Sequence, residues 1–162
     1  MAFLEVHDVS KAFTVGKGST VNALHRIDLS VAEGEFVTLV GRSGCGKSTL
    51  LRIIAGLMEP TSGSVRIDGT EVSRPRRDVG LMLQQPALMP WRTTLENVLL
   101  PTEVMGKDQR KYRERAHELL EMTGLKGFEN RYPRQLSGGM QQRVSLCRSL
   151  IHDHAVLLMD EP

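Results

Sequence analysis

Aromatic residues are scarce in this sequence, at 4% of 162 residues. That scarcity argues against the stacking platforms on which proteins hold single-stranded nucleic acid. An excess of charge of one sign is missing too. The 21 lysines and arginines nearly balance the 19 aspartates and glutamates, for a net charge of +2. The basic residues are scattered rather than gathered into a track, so nothing points to a nucleic-acid partner. No stretch approaches the ~20 consecutive apolar residues that a helix needs to span a bilayer. The opening Met1 to Val6 has no basic segment followed by an apolar one, and the expectation is a chain without a secretory leader. Only two cysteines occur, Cys45 and Cys147, far apart in the chain. They predict two free thiols in a reducing cytosol rather than a disulfide or a metal pair. The remaining composition is that of an ordinary globular chain, with 40% apolar and 25% charged residues, long enough to bury a proper core.

Against this plain background one stretch stands out. Gly41-Arg42-Ser43-Gly44-Cys45-Gly46-Lys47-Ser48-Thr49 follows the apolar run Phe36 to Val40 and precedes the helical pattern Leu50 to Ala55. A strand, then Gly-x-x-x-x-Gly-Lys-Ser, then a helix is the arrangement of a phosphate-binding loop. Glycines let the backbone bend and approach an anion closely. Successive N–H groups then form a concave nest, and the following helix adds the positive end of its dipole. Lys47 can reach the outer phosphates, and the Ser48 hydroxyl can ligate Mg²⁺.

The rest of the chain reads in order. Phe3 to Val9 alternates as a half-buried strand, Lys11 to Thr20 is loop-like, and His25 to Val31 is a second strand. Gly56 and Pro60 stop the phosphate-loop helix near Leu57. Asp68-Gly69 between Ser64 to Ile67 and Thr70 to Val72 signals a hairpin, and Val79 to Gln84 is a further strand. Thr93-x-x-Glu96 is a capping box opening a short helix that Pro101 interrupts. Gln109 to Met122 is a charged amphipathic surface helix ending at Gly124. Another helix runs from about Leu136 to Ile151, and Ala155 to Met159 is a buried strand ending in Asp160-Glu161-Pro162. Organisation follows in three parts: 1–85 an antiparallel β piece with the phosphate-loop core, 86–137 a helical subdomain, and 138–162 a helix and the last strand.

Two further stretches carry chemistry. An aspartate at the end of an apolar strand beside a phosphate loop can hold the Mg²⁺ shell, which is Asp160. The next carboxylate, Glu161, can orient or deprotonate an attacking water. Ser137-Gly138-Gly139 at a helix start exposes backbone N–H groups and one hydroxyl, a second anion site of the same physical kind, although the tripeptide in isolation reads by default as a plain serine cap with flexible glycines. His152 and His154 in His-x-His spacing are expected to be solvent-facing loop residues, since two histidines make an incomplete metal site.

Taken together and in this order, Gly-x-x-x-x-Gly-Lys-Ser, Gln84 after a strand, Leu-Ser-Gly-Gly-Met-Gln-Gln-Arg at 136–143 and Leu-Leu-Met-Asp-Glu-Pro at 157–162 resemble the ATP-binding cassette family. The stretch Pro86 to Thr93 is similar to that of ATPase subunits of bacterial importers of nitrate, sulfonate, taurine and related small solutes. The resemblance implies an α/β fold, a P-loop NTPase (RecA-like) core with an N-terminal antiparallel β subdomain and a helical insert. It implies ATP and Mg²⁺ as ligands, with Gly41 to Thr49 holding the phosphates and Ser48, Gln84 and Asp160 around the metal. Glu161 would be the general base and Gln84 a contact to the metal and the attacking water. Phe13 falls where the family stacks an aromatic on adenine, the alternative being a loop phenylalanine packed on the domain. Ser137, Gly138 and Gly139 would bind the γ-phosphate of ATP held by a second nucleotide-binding subunit. Transmembrane permease subunits would be direct partners, a periplasmic solute-binding protein an indirect one, and the cytoplasmic face of the inner membrane the location. Leu88, Met89, Pro90 and Trp91 are the apolar candidates for the permease contact. The family also continues past the Asp-Glu pair with a dimer-contact loop and a switch histidine, so the chain reads as a fragment that hydrolyses ATP poorly alone. The rival classes are a cassette ATPase acting on DNA or ribosomes, which carries coiled coils or tandem cassettes, and a phosphate-loop kinase, which lacks Leu-Ser-Gly-Gly.

Overall fold

The computed structural model describes residues 2–16 and 18–160. The chain forms two compact units, residues 1–77 and 78–162.

The first unit is built on a four-stranded antiparallel sheet. Strands β1 (Ala2–Val15) and β2 (Ser19–Ala32) are a long hairpin, paired from Ala2↔Ala32 to Val15↔Ser19. The expected loop over Lys11 to Thr20 is therefore mostly strand. Its Gly, Ser and Lys content suggested a loop, but continued pairing between the two chains overrides local preference. Register shifts after Val6 and Val9 mark bulges, where Asp8 and Arg26 both take left-handed backbone and the Arg26 Nε donates to Asp8 Oδ1 at 2.8 Å. Strand β3 (Ser62–Ile67) pairs on the other side of β1, and β4 (Thr70–Glu71) closes a hairpin. Its turn residues Asp68 and Gly69 sit at φ 49° and 67°, the double left-handed geometry that Asp-Gly favours. Leu4, Val6, Val9, Leu24, Val65 and Ile67 are the buried side chains of the sheet. Helix α1 (Lys47–Ile54) buries Leu50, Ile53 and Ile54.

One expected strand is absent from this unit. Phe36 to Val40 is in neither helix nor strand, and Phe36 and Val40 are 90% and 92% exposed. An apolar run becomes a strand only where a neighbouring chain supplies its hydrogen bonds, and among the described residues none pairs with it.

The second unit joins a two-stranded parallel sheet to a helical core. Strands β5 (Val79–Met82) and β6 (Val156–Met159) pair in register from Val79↔Val156 to Met82↔Met159. The crossover between them holds α2 (Thr94–Val104), α3 (Gln109–Met122), a 3-10 turn at Pro133–Gln135 and α4 (Gly138–Leu150). The capping box forms as expected, with the Thr93 N–H donating to Glu96 Oε2 at 2.7 Å and the Glu96 N–H to Thr93 Oγ1 at 3.3 Å. Pro101 does not interrupt α2, which runs on to Val104. A proline removes one helical hydrogen bond, and here the buried face of Leu95, Val98, Leu99 and Thr102 holds the helix together across it. Helix α3 has the expected bounds, but it is more than a surface helix. Ala116, Leu119 and Leu120 are 0–3% exposed in one core with Val98, Leu99, Leu125, Val144 and Cys147. Among the described residues no helix is long and apolar enough to cross a membrane.

Candidate nucleotide site

The glycine-rich loop belongs to the first unit. Residues 41–46 turn tightly into α1, with the Cys45 N–H donating to the Arg42 carbonyl at 3.2 Å. Gly46 caps the helix at φ 101°. A side chain there would meet the Ala23 carbonyl oxygen at 2.5 Å and Leu24 Cδ2 at 2.8 Å, so glycine is required both by backbone conformation and by close packing on β2. A β-carbon at Gly41 would lie 2.7 Å from Cys45 Sγ. Lys47 Nζ folds back over the loop, donating to the Gly41 carbonyl at 2.9 Å and the Arg42 carbonyl at 3.2 Å, with Cys45 Sγ at 3.9 Å. Lys47 therefore sits at the first helical position, where the dipole's positive end and the uncapped amides favour an anion. Arg42, Ser43 and Gly44 are exposed along the loop, and Ser48 and Thr49 occupy the first turn of α1, partly buried.

Phe13 lies on the same sheet that supports this loop. It pairs with Val21, while Leu24, against which Gly46 packs, pairs with Lys11. Three residues of strand, roughly 10 Å, separate Val21 from Leu24. Phe13 is 37% exposed, and Lys11 Nζ stands 5.5 Å from its ring centroid, a cation–π distance. Phe13 is a strand residue rather than the loop residue expected for 11–20.

The second unit gathers other named residues at one edge of the parallel pair. The Asp160 N–H donates to the Met82 carbonyl at 2.9 Å, one residue beyond the last register pair. Asp160 is 6% exposed. Gln84 follows β5 by two residues, is exposed, and its carbonyl accepts from Gln142 Nε2 at 3.2 Å. Asp160 and Gln84 thus leave the same carboxyl-terminal edge of adjacent strands. Glu161 lies outside the described residues. Ser137 caps α4, its Oγ accepting from the Met140 N–H at 3.3 Å. Ser137, Gly138 and Gly139 are exposed, and a β-carbon at either glycine would meet nothing within 4 Å. The serine cap therefore forms, and among the described residues no other side chain covers the two glycines that follow it.

Other expectations change here. Both cysteines are free, Cys45 exposed and Cys147 buried, and burial raises the Cys147 thiol's pKa above its usual range. His152 is buried at 7% exposure, and His154 is half-buried with its ring against Gly80 of β5. Neither is solvent-facing. Glycine at position 80 leaves the space that the His154 imidazole fills, a partnership that sequence spacing does not reveal. Of the four apolar residues proposed as exposed, Trp91 is 71% exposed, whereas Leu88 packs against the helical core. Sequence reasoning missed Asn97 and Arg148. Asn97 is fully buried, accepts from the Met89 N–H at 2.7 Å and donates to the carbonyls of Met89, Arg92 and Thr93. Arg148 donates to the Pro86 and Ala87 carbonyls. Both act on backbone, which leaves no partner motif to find.

Residues 24–162 match the ABC transporter family. An ABC transporter ATP-binding protein of Methanocaldococcus jannaschii is 52% identical over 98% of this chain and 59% of its own length. The nitrate import ATP-binding protein NrtD of Synechocystis sp. is 47% identical over 98% of this chain and 59% of its own length. The taurine import ATP-binding protein TauB of Pelagibacter ubique is 43% identical over 100% of this chain and 61% of its own length. The chain thus spans about three-fifths of these relatives. Among solved structures, a dimeric post-hydrolysis ATP-binding cassette bound to ADP and Pi superposes with TM-score 0.88 at 38% identity, covering 97% of this chain and 73% of that one.

Proposed function

The chain belongs to the ABC transporter family, and from that premise we propose that it is the ATP-binding and ATP-hydrolysing part of an importer of small solutes. The observation that carries the reading is the loop at Gly41 to Ser48. Gly46 is fixed by close contact with β2 and Gly41 by Cys45, and the loop delivers the Lys47 ammonium to the mouth of a helix N-terminus. In this reading Gly41 to Thr49 wrap the phosphates and Phe13 stacks on adenine. Ser48, Gln84 and Asp160 offer hydroxyl, amide and carboxylate oxygens, the hard donors that suit Mg²⁺ beside phosphate and water. When bound with the nucleotide, the ion would neutralise charge on the transferred phosphoryl group. Asp160 brings its carboxyl group to the strand edge beside Gln84, and Glu161 takes the proton of the attacking water. Ser137, Gly138 and Gly139 point their amides at the γ-phosphate of a nucleotide held by a second copy, so that the working assembly is a dimer. Permease subunits bind the helical part near Trp91, and this places the protein peripherally on the cytoplasmic face of the membrane. The nitrate and taurine importers among the relatives support import and a small solute.

Titration with a fluorescent ATP analogue tests the reading. Lys47→Ala removes the charge at the loop mouth and should weaken binding by about tenfold or more, consistent with a charge-assisted contact of ~1.5–3 kcal/mol. Equal affinity in parent and variant, both folded by circular dichroism, refutes a phosphate role for Lys47.

A further inference from the structure

Helix α4 does more than present Ser137 at its start. Along its length it holds the backbone of the Gln84 segment. Gln142 Nε2 donates to the Gln84 carbonyl at 3.2 Å. Further along the helix, Arg148 reaches the same segment with both terminal nitrogens, Nη2 to the Pro86 carbonyl at 2.6 Å and Nη1 to the Ala87 carbonyl at 2.9 Å. Nη2 also lies 3.4 Å from Ser145 Oγ on the preceding turn, which orients the guanidinium. No carboxylate is among these partners. A planar fork spent on two adjacent carbonyls is a geometric device, because its two donor nitrogens are held at a fixed separation that a single rotating ammonium does not have.

The held segment is strained and otherwise lacks regular structure. Ala87 sits at φ 44°, a left-handed conformation that a β-carbon disfavours and that persists only where surroundings impose it. Two residues later Asn97 of α2 takes over, fixing Met89, Arg92 and Thr93. The segment from 84 to 93 is thus pinned at one end by α4 and at the other by α2, both parts of one core.

We propose that Arg148, with Gln142, is a positioning residue that ties the backbone of Gln84 to Ala87 to helix α4, so that Gln84 and the Ser137 helix start move as one body. The inference rests on the reading of Gln84 as a residue at the nucleotide. It adds that the orientation of Gln84 is set from α4 rather than from strand β5, which ends at Met82.

Hydrogen–deuterium exchange on the purified 162-residue chain tests the tie. Arg148→Met keeps much of the length and loses the donors, and Arg148→Lys keeps the charge but loses the planar fork with its two separate donor nitrogens. In both, the Met89 and Arg92 amides should exchange about tenfold faster or more, while α3 amides exchange as in the parent. Adding Ala87→Gly to Arg148→Lys, which removes the strain, should restore part of the protection, an effect that a merely space-filling arginine would not give. Unchanged exchange at Met89 and Arg92 overturns the inference, and so does acceleration spread evenly over α2, α3 and α4. If the methionine variant fails to fold, the lysine variant decides alone. ATP hydrolysis by the chain assembled with its permease separates the two layers. Gln84→Ala tests the underlying reading, which fails if turnover is unchanged. If Gln84→Ala lowers turnover, Arg148→Met should lower kcat with KM for ATP held, and an unchanged kcat overturns the positioning role.

Discussion

His152 lies edge-on to Tyr112, with ring centroids 5.0 Å apart, and His154 lies 6.2 Å from His152. Burial is the main cause that lowers the pKa of both below the usual histidine value, and the Lys107 ammonium pushes the same way while Asp153 opposes it. The sign follows from proton binding. The unfolded chain, with ordinary histidines near pH 6.5, binds more protons there than the folded one, so stability rises with pH through that region and is lost as pH falls below it. The carboxylates Asp28, Glu96, Glu103 and Glu129, whose pKa values are lowered, also lose their contribution on acidification, but only as pH falls into the ordinary carboxylate range and below it. The urea midpoint should therefore fall between pH 7.5 and 5.5, and His152→Phe, which keeps a ring against Tyr112, should flatten that slope. A slope as steep in the variant as in the parent assigns the pH dependence elsewhere. At this scale the sequence was informative where a residue's job is set by its neighbours in the chain. The place of Gly46 and Lys47 at the loop-to-helix turn could be read because loop and helix start are contiguous. The burial of His152 and the carbonyl contacts of Arg148 and Asn97 could not, since their partners lie tens of residues away or are main chain.

Among the elements, α2 shows most directly what a local signal is worth. Its start is fixed by the reciprocal Thr93 and Glu96 bonds, and a bidentate pair between Arg92 and Glu103 at 2.6 and 2.9 Å spans its exposed side. Thr93→Ala leaves the Glu96 amide without its acceptor and should cost about 1 kcal/mol of stability. The loss should show as a lower denaturant midpoint with unchanged steepness, and no shift would mean that water replaces the cap without loss. Helix bounds for α3, the Asp68-Gly69 hairpin and the β6 strand were all legible for the same reason, that caps and turns are written within a few residues. Pro101 shows the converse. Its missing donor is a local cost, and packing of α2 on α3 and α4 outweighs it. The hairpin of β1 and β2 extended through a stretch whose composition suggested a loop, because strand pairing is decided by the partner strand.

For the molecule as a whole, the segment Phe36 to Val40 sets how the isolated chain behaves in solution. Phe36 at 90% and Val40 at 92% exposure, with Val37 at 40%, put adjoining apolar side chains in water on backbone that belongs to no sheet. Burying Phe36 and Val40 is worth about 1.5–3 kcal/mol each, and unpaired extended backbone adds donors and acceptors ready to pair with another chain. The near balance of charge, +2 overall, gives little repulsion between copies to oppose contact. The purified 162-residue chain should therefore self-associate in a concentration-dependent way through this segment. Phe36→Ser combined with Val40→Ser removes the apolar surface without touching Gly41 to Ser48, and should return the chain to monomer in sedimentation velocity. Oligomers that persist unchanged in the double variant would move the sticky surface elsewhere, with exposed Trp91, Val104 and Met122 as the next substitutions to make.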